Sequence, residues 1–517
     1  MSFPKAIHES DLTELSQHYD AYVLISNSLS SLYYPSLAES LSAYKAIDAR
    51  LGSQAILLAN DSVAGKRLIV AGVGMLDRDY DDVRRVFDAA KHTASLMLEA
   101  GIRQPLLELN LVGLNEEQQH IFGNAIEAAF LGLCQGLWQP LEARQALGED
   151  QVEPIKTVGI LTRSDGVDVR RLNAIEAGKR VARDLCGTEP ERMAPPGFAD
   201  YCVETFAGSN VSVEVIDDHH QIENEYPLLH AVARASIEVV RHRPRIIRME
   251  YQGEGEIEQT LMFAGKGITF DTGGADLKVN GHMAGMSRDK GGAAGVAGFM
   301  KTVSLLAPTN LKVVVEIGAV RNSIGAEAFI PDEIITSHAG IRVRVGNTDA
   351  EGRMLLADLL SHLREKAINE INPQLFSVAT LTGHAAMAFG PYSALVENKV
   401  AKQQGVASAL FEQGERCADP VEPSLSRRED FDFVKPRTKA DDVLSSNNAP
   451  SVTTVRGHQF PMAFLSIASG LDQHQASSPH PLAYTHVDIA GSGVENLDWQ
   501  HGKPTGAPVN VFVNTYL

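Results

Sequence analysis

The chain has 517 residues, 44% of them hydrophobic, enough to bury two ordinary cores or one large one with an attachment. Its 46 basic and 65 acidic residues leave a formal charge of −19 and a pI near 5.4, a balance that opposes nonspecific binding to nucleic acid or to an anionic membrane. Cys134, Cys186, Cys202 and Cys417 are widely spread, with no Cys-x-x-Cys and no disulfide framework, which fits a reducing cytoplasm.

From the first residue onward, Met1–Ala6 lacks the basic region and apolar core of a secretory signal, and no window holds the run of about 18 apolar residues that a membrane span needs. Residues 1–167 alternate strands and helices: Arg67–Val73 reads as a buried strand, and Asp81–Ala100 carries helical spacing through Val83, Val86, Phe87, Ala90, Ala94 and Met97 until Gly101 ends it. Few chemically useful side chains cluster there, so this part is expected to be a non-catalytic α/β domain. Gly72-Val73-Gly74 is too short for a dinucleotide fingerprint. Residues 168–187 predict one long helix linking two domains, with Leu172, Ile175, Ala182, Leu185 and Cys186 on one face and Arg170, Arg171, Lys179, Arg180, Arg183 and Asp184 mostly on the other.

Residues 188–517 are the expected catalytic domain. Leu261–Ala264 reads as a strand leading into a glycine-rich loop from Gly265 to Gly274, which continues past Asp276, Lys278, Met286 and Asp289 to a small-residue helix opened by Gly291-Gly292. A phosphate-loop reading of Gly265-Lys266-Gly267 fails, because Thr260 stands where the earlier glycine is needed and Gly267 where Ser or Thr is needed. A His-Glu-x-x-His zinc motif is absent as well. Downstream, Ile341–Val345 alternates like a half-buried strand and Met354–Glu365 reads as a buried helix. Between them, Asn347-Thr348-Asp349-Ala350-Glu351-Gly352-Arg353 crowds two carboxylates and a guanidinium together. Taken alone, Asp349 could cap the helix and Glu351 favour its positive end. Set beside the upstream cluster, Asp271, Asp289, Asp349 and Glu351 make four acids attended by Lys266, Lys278 and Arg353, an oxygen-rich set suited to Mg²⁺, Mn²⁺ or Zn²⁺. Four carboxylates can hold two ions about 3.5–4 Å apart, an arrangement that activates a water.

These segments resemble the leucyl aminopeptidase family of dinuclear metallopeptidases, peptidase family M17. The heptad Asn347–Arg353 and the run Gly265–Gly274 carry the resemblance, with Lys278, Asp289, Ala379-Thr380-Leu381-Thr382-Gly383, Asp488-Ile489-Ala490-Gly491 and Gly502-Lys503-Pro504-Thr505-Gly506 at the family's spacings. It covers roughly residues 175 to 510. The resemblance implies two α/β domains joined by the long helix, the C-terminal one a mixed sheet flanked by helices and carrying the dinuclear site. It implies two divalent ions per chain, Zn or Mn with Mg or Co as alternatives. Lys266, Asp271, Asp289 and Glu351 would hold the tighter ion, and Asp271, Asp349 and Glu351 the more exchangeable one, with Lys266 a neutral ligand. Lys278 and Arg353 would be catalytic, Arg353 holding a bicarbonate. Met286, Asn347, Thr380 and Leu381 match positions around the substrate. A cytoplasmic aminopeptidase with a leucine-like preference, assembled as a homohexamer from two trimers, completes what the family implies.

The chain departs from the family pattern at Arg321-Asn322-Ser323-Ile324-Gly325, at His384 after Gly383, and at Lys290 after Asp289; His384 and the Arg321 loop are the positions that bear on side-chain preference. A catalytically silent or DNA-binding role, known elsewhere in the family, is opposed by the complete set of site residues and by the negative charge. A phosphatase or other dinuclear hydrolase shares the metal logic without the spacing.

Overall fold

Thirteen consecutive residues of extended backbone, Gln259–Asp271, form the strand around which the catalytic half is built. The computed structural model describes residues 4–10, 18–29, 32, 35–162 and 166–517; Met1–Phe3, on which part of the signal-peptide reading rests, lie outside them. The chain divides into two compact units, residues 1–177 with 413–420, and residues 178–412 with 421–517.

The first unit holds a six-stranded sheet in the order Lys5–Glu9, Thr157–Leu161, Pro105–Asn110, Ala21–Ser26, Arg67–Gly72, Ala55–Ala59. Its neighbours pair in parallel except at Ala55–Ala59, an antiparallel edge. Ala21–Ser26 is buried throughout, as expected of a central strand covered on both faces. The helix expected over Asp81–Ala100 occupies Arg84–Glu99 and buries Val86, Ala90, Thr93, Ala94 and Met97.

The predicted linker is one helix, Val169–Gly187, and the division between the units falls within it. Its amphipathic reading needs correction: Lys179, Arg180, Arg183 and Asp184 are buried along with Leu172, Ile175, Ala182 and Leu185. Periodicity identified the helix and its exposed Arg170, but not that the charged face is covered from Lys179 onward.

The second unit holds an eight-stranded mixed sheet, ordered Val421–Leu425, Ser393–Glu397, Ala483–Asp488, Pro373–Ala379, Gln259–Asp271, Leu311–Asn322, Arg245–Gln252, Val211–Ile216. The four strands from Ala483–Asp488 to Leu311–Asn322 are parallel, and antiparallel pairings flank them. Alternation along Gln259–Asp271 sends successive side chains to opposite faces. Phe263 meets Phe299, Phe376 and Phe512 on one face, with ring centroids 5.3, 5.0 and 5.1 Å away. Met262, Ala264 and Ile268 join the core that contains Leu355, Leu356 and Leu359 of the helix Glu351–Ala367.

The glycine-rich stretch corrects one expectation. Gly265-Lys266-Gly267 is not a loop, since the strand runs through it to Asp271. The glycines serve packing: a Cβ on Gly265 would come within 2.9 Å of the Ala293 Cα and 2.8 Å of Val296 Cγ2, both in the helix Gly291–Leu306. Missing side chains let that helix lie close against the sheet, and Lys266 is carried on a rigid strand. A fold of two α/β units with helix-flanked sheets is therefore as the sequence implied.

Candidate active site

Asp271 closes the long strand, and its carboxylate is fixed by three donors. Gly273 N–H donates to Oδ1 at 2.9 Å, Asn322 Nδ2 donates to Oδ1 at 2.8 Å, and Lys278 Nζ lies 2.9 Å from Oδ2. Gly273 stands at φ 86°, and a Cβ there would come within 2.5 Å of the Asp276 carbonyl; the tight return that brings Lys278 back over Asp271 needs glycine. Asp289 follows the short 3₁₀ turn Met286–Arg288 and precedes the Gly291–Leu306 helix. Its Oδ1 accepts from Lys266 Nζ and from Thr380 Oγ1, both at 2.8 Å.

Asp349 and Glu351 come from the corner the sequence pointed to. Asn347 accepts from Asp349 N–H at 2.7 Å, a 3₁₀ turn covers Thr348–Ala350, and Glu351 opens the next helix. Asp349 does not cap that helix, whose cap position is Ala350 with no side-chain bond. Its Oδ1 instead lies 2.5 Å from Lys278 Nζ. Glu351 lies 3.0 Å from Lys266 Nζ. Gly352 makes the room: a Cβ on it would sit 2.5 Å from Lys266 Cε.

Each lysine thus lies between two carboxylates, Lys266 between Asp289 and Glu351 and Lys278 between Asp271 and Asp349. Asp271, Asp289 and Glu351 are all buried and bring one oxygen each within 4.8 Å of one another. The second oxygens, Asp289 Oδ2 and Glu351 Oε2, are cut off from solvent with no hydrogen-bond partner. Desolvated acceptors of this kind are costly unless a cation meets them, so the donor set fits a divalent ion. Burial, and then repulsion from Asp271, raises Glu351 and pushes Asp349 up to about 7. Burial also raises Asp289 well above the usual carboxylate range.

Burial alone would strip Lys266 of its proton, but attraction from Asp289, Glu351 and Asp271 outweighs it and raises the lysine instead. The cause is the three anions packed around Nζ. Lys278 is raised in the same way, with Asp271 and Asp349 overcoming its burial. Arg353 lies in the first turn of the Glu351–Ala367 helix. Its Nη1 donates to the Ser445 carbonyl at 2.9 Å, its guanidinium covers Phe460 at 4.8 Å, and Nε has no partner. Burial lowers it to about 10, against the pull of Glu351, Asp488 and Asp349, so it stays charged at neutral pH.

Thr380 also accepts from Lys266 at its carbonyl, at 2.8 Å. Leu381 N–H donates to Asp488 Oδ1 at 3.1 Å, and the Leu381 side chain is half-buried. Asn347 and Met286 are half-buried within the segments that carry Asp349 and Asp289. Of the three departures, Lys290 is buried and donates to the Thr188 carbonyl, and His384 Nδ1 is 2.8 Å from His458 Nδ1. Arg321 lies 3.0 Å from Glu191 and covers Phe270. Sequence reasoning missed Asn322, Thr348 and the positioning part of Asp488. Asn322 sat inside a segment read only as a departure. Thr348, inside the heptad, accepts from Asp276 N–H and donates to the Gly273 carbonyl. Asp488 accepts from Thr382 Oγ1 at 2.6 Å and from three backbone N–H groups.

Residues 180–513 match the family described as cytosol aminopeptidase family, catalytic domain. The chain belongs to the cytosol aminopeptidase family. A Caenorhabditis elegans protein named as an aminopeptidase is 43% identical over 433 residues, covering 83% of this chain and 81% of that protein. Among solved structures, the apo leucyl aminopeptidase of Trypanosoma cruzi aligns with a TM-score of 0.80 at 20% identity, over 99% of this chain and 97% of that one. The bottromycin maturation enzyme BotP, solved in complex with Mn, aligns with a TM-score of 0.74 at 21% identity, over 96% and 98%. As a cytosol aminopeptidase family member the chain is a hydrolase, a metal-dependent exopeptidase of the leucyl aminopeptidase type.

Proposed function

We propose that the chain releases the N-terminal residue of peptides bearing a free α-amino group, leucine-like residues preferred, with two divalent ions held by Lys266, Asp271, Asp289, Asp349 and Glu351. The observation that carries this reading is the buried meeting of Asp271, Asp289 and Glu351 with two unpartnered oxygens. Lys266, Asp271, Asp289 and Glu351 belong to the tighter position, Asp271, Asp349 and Glu351 to the more exchangeable one. When bound, the ions supply Lewis acidity and bring the pKa of a water toward neutrality. Zn²⁺ or Mn²⁺ suits the donors best, with Mg²⁺ or Co²⁺ as alternatives.

The chain's own groups divide the remaining work. Lys266 gives up its proton to serve as a ligand, so loading is coupled to proton release and favoured by rising pH. Lys278, held charged by Asp271 and Asp349, is placed to meet negative charge developing on the scissile carbonyl oxygen. Arg353, a buried cation with an unpartnered Nε, would hold a small anion such as bicarbonate, which would supply a general base. Thr380 orients Asp289, while Leu381, Met286 and Asn347 border the peptide. The family points to a homohexamer and a cytoplasmic setting. Among the described residues, no helix is long and apolar enough to cross a membrane.

The test is metal analysis with a leucine anilide assay on the full chain. Up to two ions per chain are expected, with activity lost to chelators and restored by Mn²⁺, Zn²⁺ or Co²⁺. A free-amine peptide should be cleaved and its acetylated twin refused. Full activity after exhaustive chelation, or internal cleavage of blocked peptides, would overturn the reading.

A further inference from the structure

Outside the catalytic cluster, one group of side chains has the chemistry of a second metal site, built from different donors. His219 and Glu223 lie four residues apart in the helix His219–Glu225 and so share a face. Asp218 caps that helix by accepting from Gln221 N–H at 2.7 Å. Tyr226 is buried, and Pro227 opens a second helix, Pro227–Ala233, which turns His230 back toward the first. The His219 and His230 rings approach to 4.9 Å between centroids, and one donor atom from each of His219, Glu223 and His230 falls within 4.8 Å of the others.

We propose that His219, Glu223 and His230 form a separate binding site for one zinc-class divalent ion. A second, independent observation points to a ligand there: His219 Nδ1 and His230 Nε2 are each shut off from solvent without a hydrogen-bond partner. Two such nitrogens on neighbouring rings are hard to explain by packing, because a buried polar atom left unpaired is costly. An ion between them satisfies both. Two imidazoles and one carboxylate are the donors zinc favours, and three protein ligands leave a fourth position for water. His219 also lines a cleft of about 260 Å³ with Asp217, Asp218 and Arg243, a route for ion and water. Glu223 is exposed and lies 3.7 Å from His220, a loose contact that leaves its carboxylate able to turn inward.

The site has a structural consequence. Leu228 and Leu229, in the helix that carries His230, donate their N–H groups to Asp358 at 2.7 and 3.2 Å, and Asp358 belongs to the helix that begins with Glu351. An ion bound only by the folded chain stabilises it in proportion to the logarithm of ion concentration over Kd, and here it braces the support of the catalytic helix.

X-ray absorption at the zinc edge reads this site without relying on activity, because none of the proposed catalytic ligands is a histidine. The chelated full chain, reloaded with Zn²⁺, should show imidazole scattering and bind one ion per chain beyond the catalytic complement. H219A/H230A should lose both the scattering and that one ion, while keeping leucine anilide hydrolysis. E223Q, at an exposed position, serves should the double variant fail to fold, and should weaken the extra zinc at least tenfold. Absence of imidazole scattering in the native chain, or its persistence with unchanged zinc content in H219A/H230A or E223Q, overturns the proposal. Imidazole scattering without catalytic ions would fail the catalytic reading and leave this one standing.

Discussion

Lys266 and Lys278 each stand between carboxylates, the first buried and the second half-buried, and their surroundings assign them different work. Lys266 donates to Asp289 and to the Thr380 carbonyl and touches Glu351, so its Nζ occupies the heart of the buried triad. Lys278 reaches over from the loop and joins Asp271 to the more open Asp349. Replacing Lys266 with Ala is expected to lower metal occupancy along with activity. Lys278→Ala should keep both ions and lose roughly 10²–10³ in kcat, the scale of one removed oxyanion donor. Metal content and turnover measured on both variants decide it; loss of metal from Lys278→Ala with retention in Lys266→Ala reverses the roles. The participants at this scale were legible in the sequence because Asp349 and Glu351 stand two apart at a strand-to-helix corner and Asp271 and Asp289 lie in a glycine-rich stretch upstream. What was not legible is the pairing of lysines with acids. It depends on where Asp289 and Glu351 meet across the strand, and on the space left by Gly352.

At the scale of elements, the strand through Gly265-Lys266-Gly267 shows what local propensity hides. Glycine reads as loop in isolation, but here it admits the Gly291–Leu306 helix to within contact of the sheet, and tertiary packing overrides the weak strand preference. The long helix Val169–Gly187 was found by its period, whereas the burial of Lys179, Arg180, Arg183 and Asp184 depends on neighbours no local pattern encodes. The Glu351–Ala367 helix is held from its far side through Asp358, which is fully buried and accepts from Leu228, Leu229 and His338 backbone N–H groups. Asp358→Ala leaves three donors without an acceptor, those of Leu228 and Leu229 buried and that of His338 half-buried, and is expected to cost about 3 kcal/mol. Urea denaturation of the variant checks this. A loss under about 0.5 kcal/mol, the range of ordinary surface changes, would show that water replaces the carboxylate there.

Over the whole molecule, acid sensitivity follows from histidines that fold as neutral groups. His458 is almost wholly buried, its Nε2 is 2.8 Å from Ser424 Oγ, and burial, with the neighbouring His384 and Arg456 adding to it, brings it down to about 4. His486, with Nδ1 2.8 Å from Ser377 Oγ, is lowered to about 3 by burial and by Arg353. A histidine whose folded pKa lies below its unfolded value binds more protons when unfolded. Its contribution is therefore fully present above about pH 6.5 and drains away as pH falls toward the folded pKa. A raised carboxylate runs the opposite way: Asp349, raised to about 7, favours the folded chain at low pH and loses that contribution as pH rises from about 4 to 7. Bulk stability mixes the two signs, so a comparison with a variant is needed to separate them. The stability of the chelated chain minus that of His458→Gln should shrink by about 1 kcal/mol as pH drops from about 6.5 to 5.5. A difference that stays constant across that interval would mean that His458 takes up its proton without cost in the folded chain, and that its contacts with Ser424 and His384 rearrange to admit the charge.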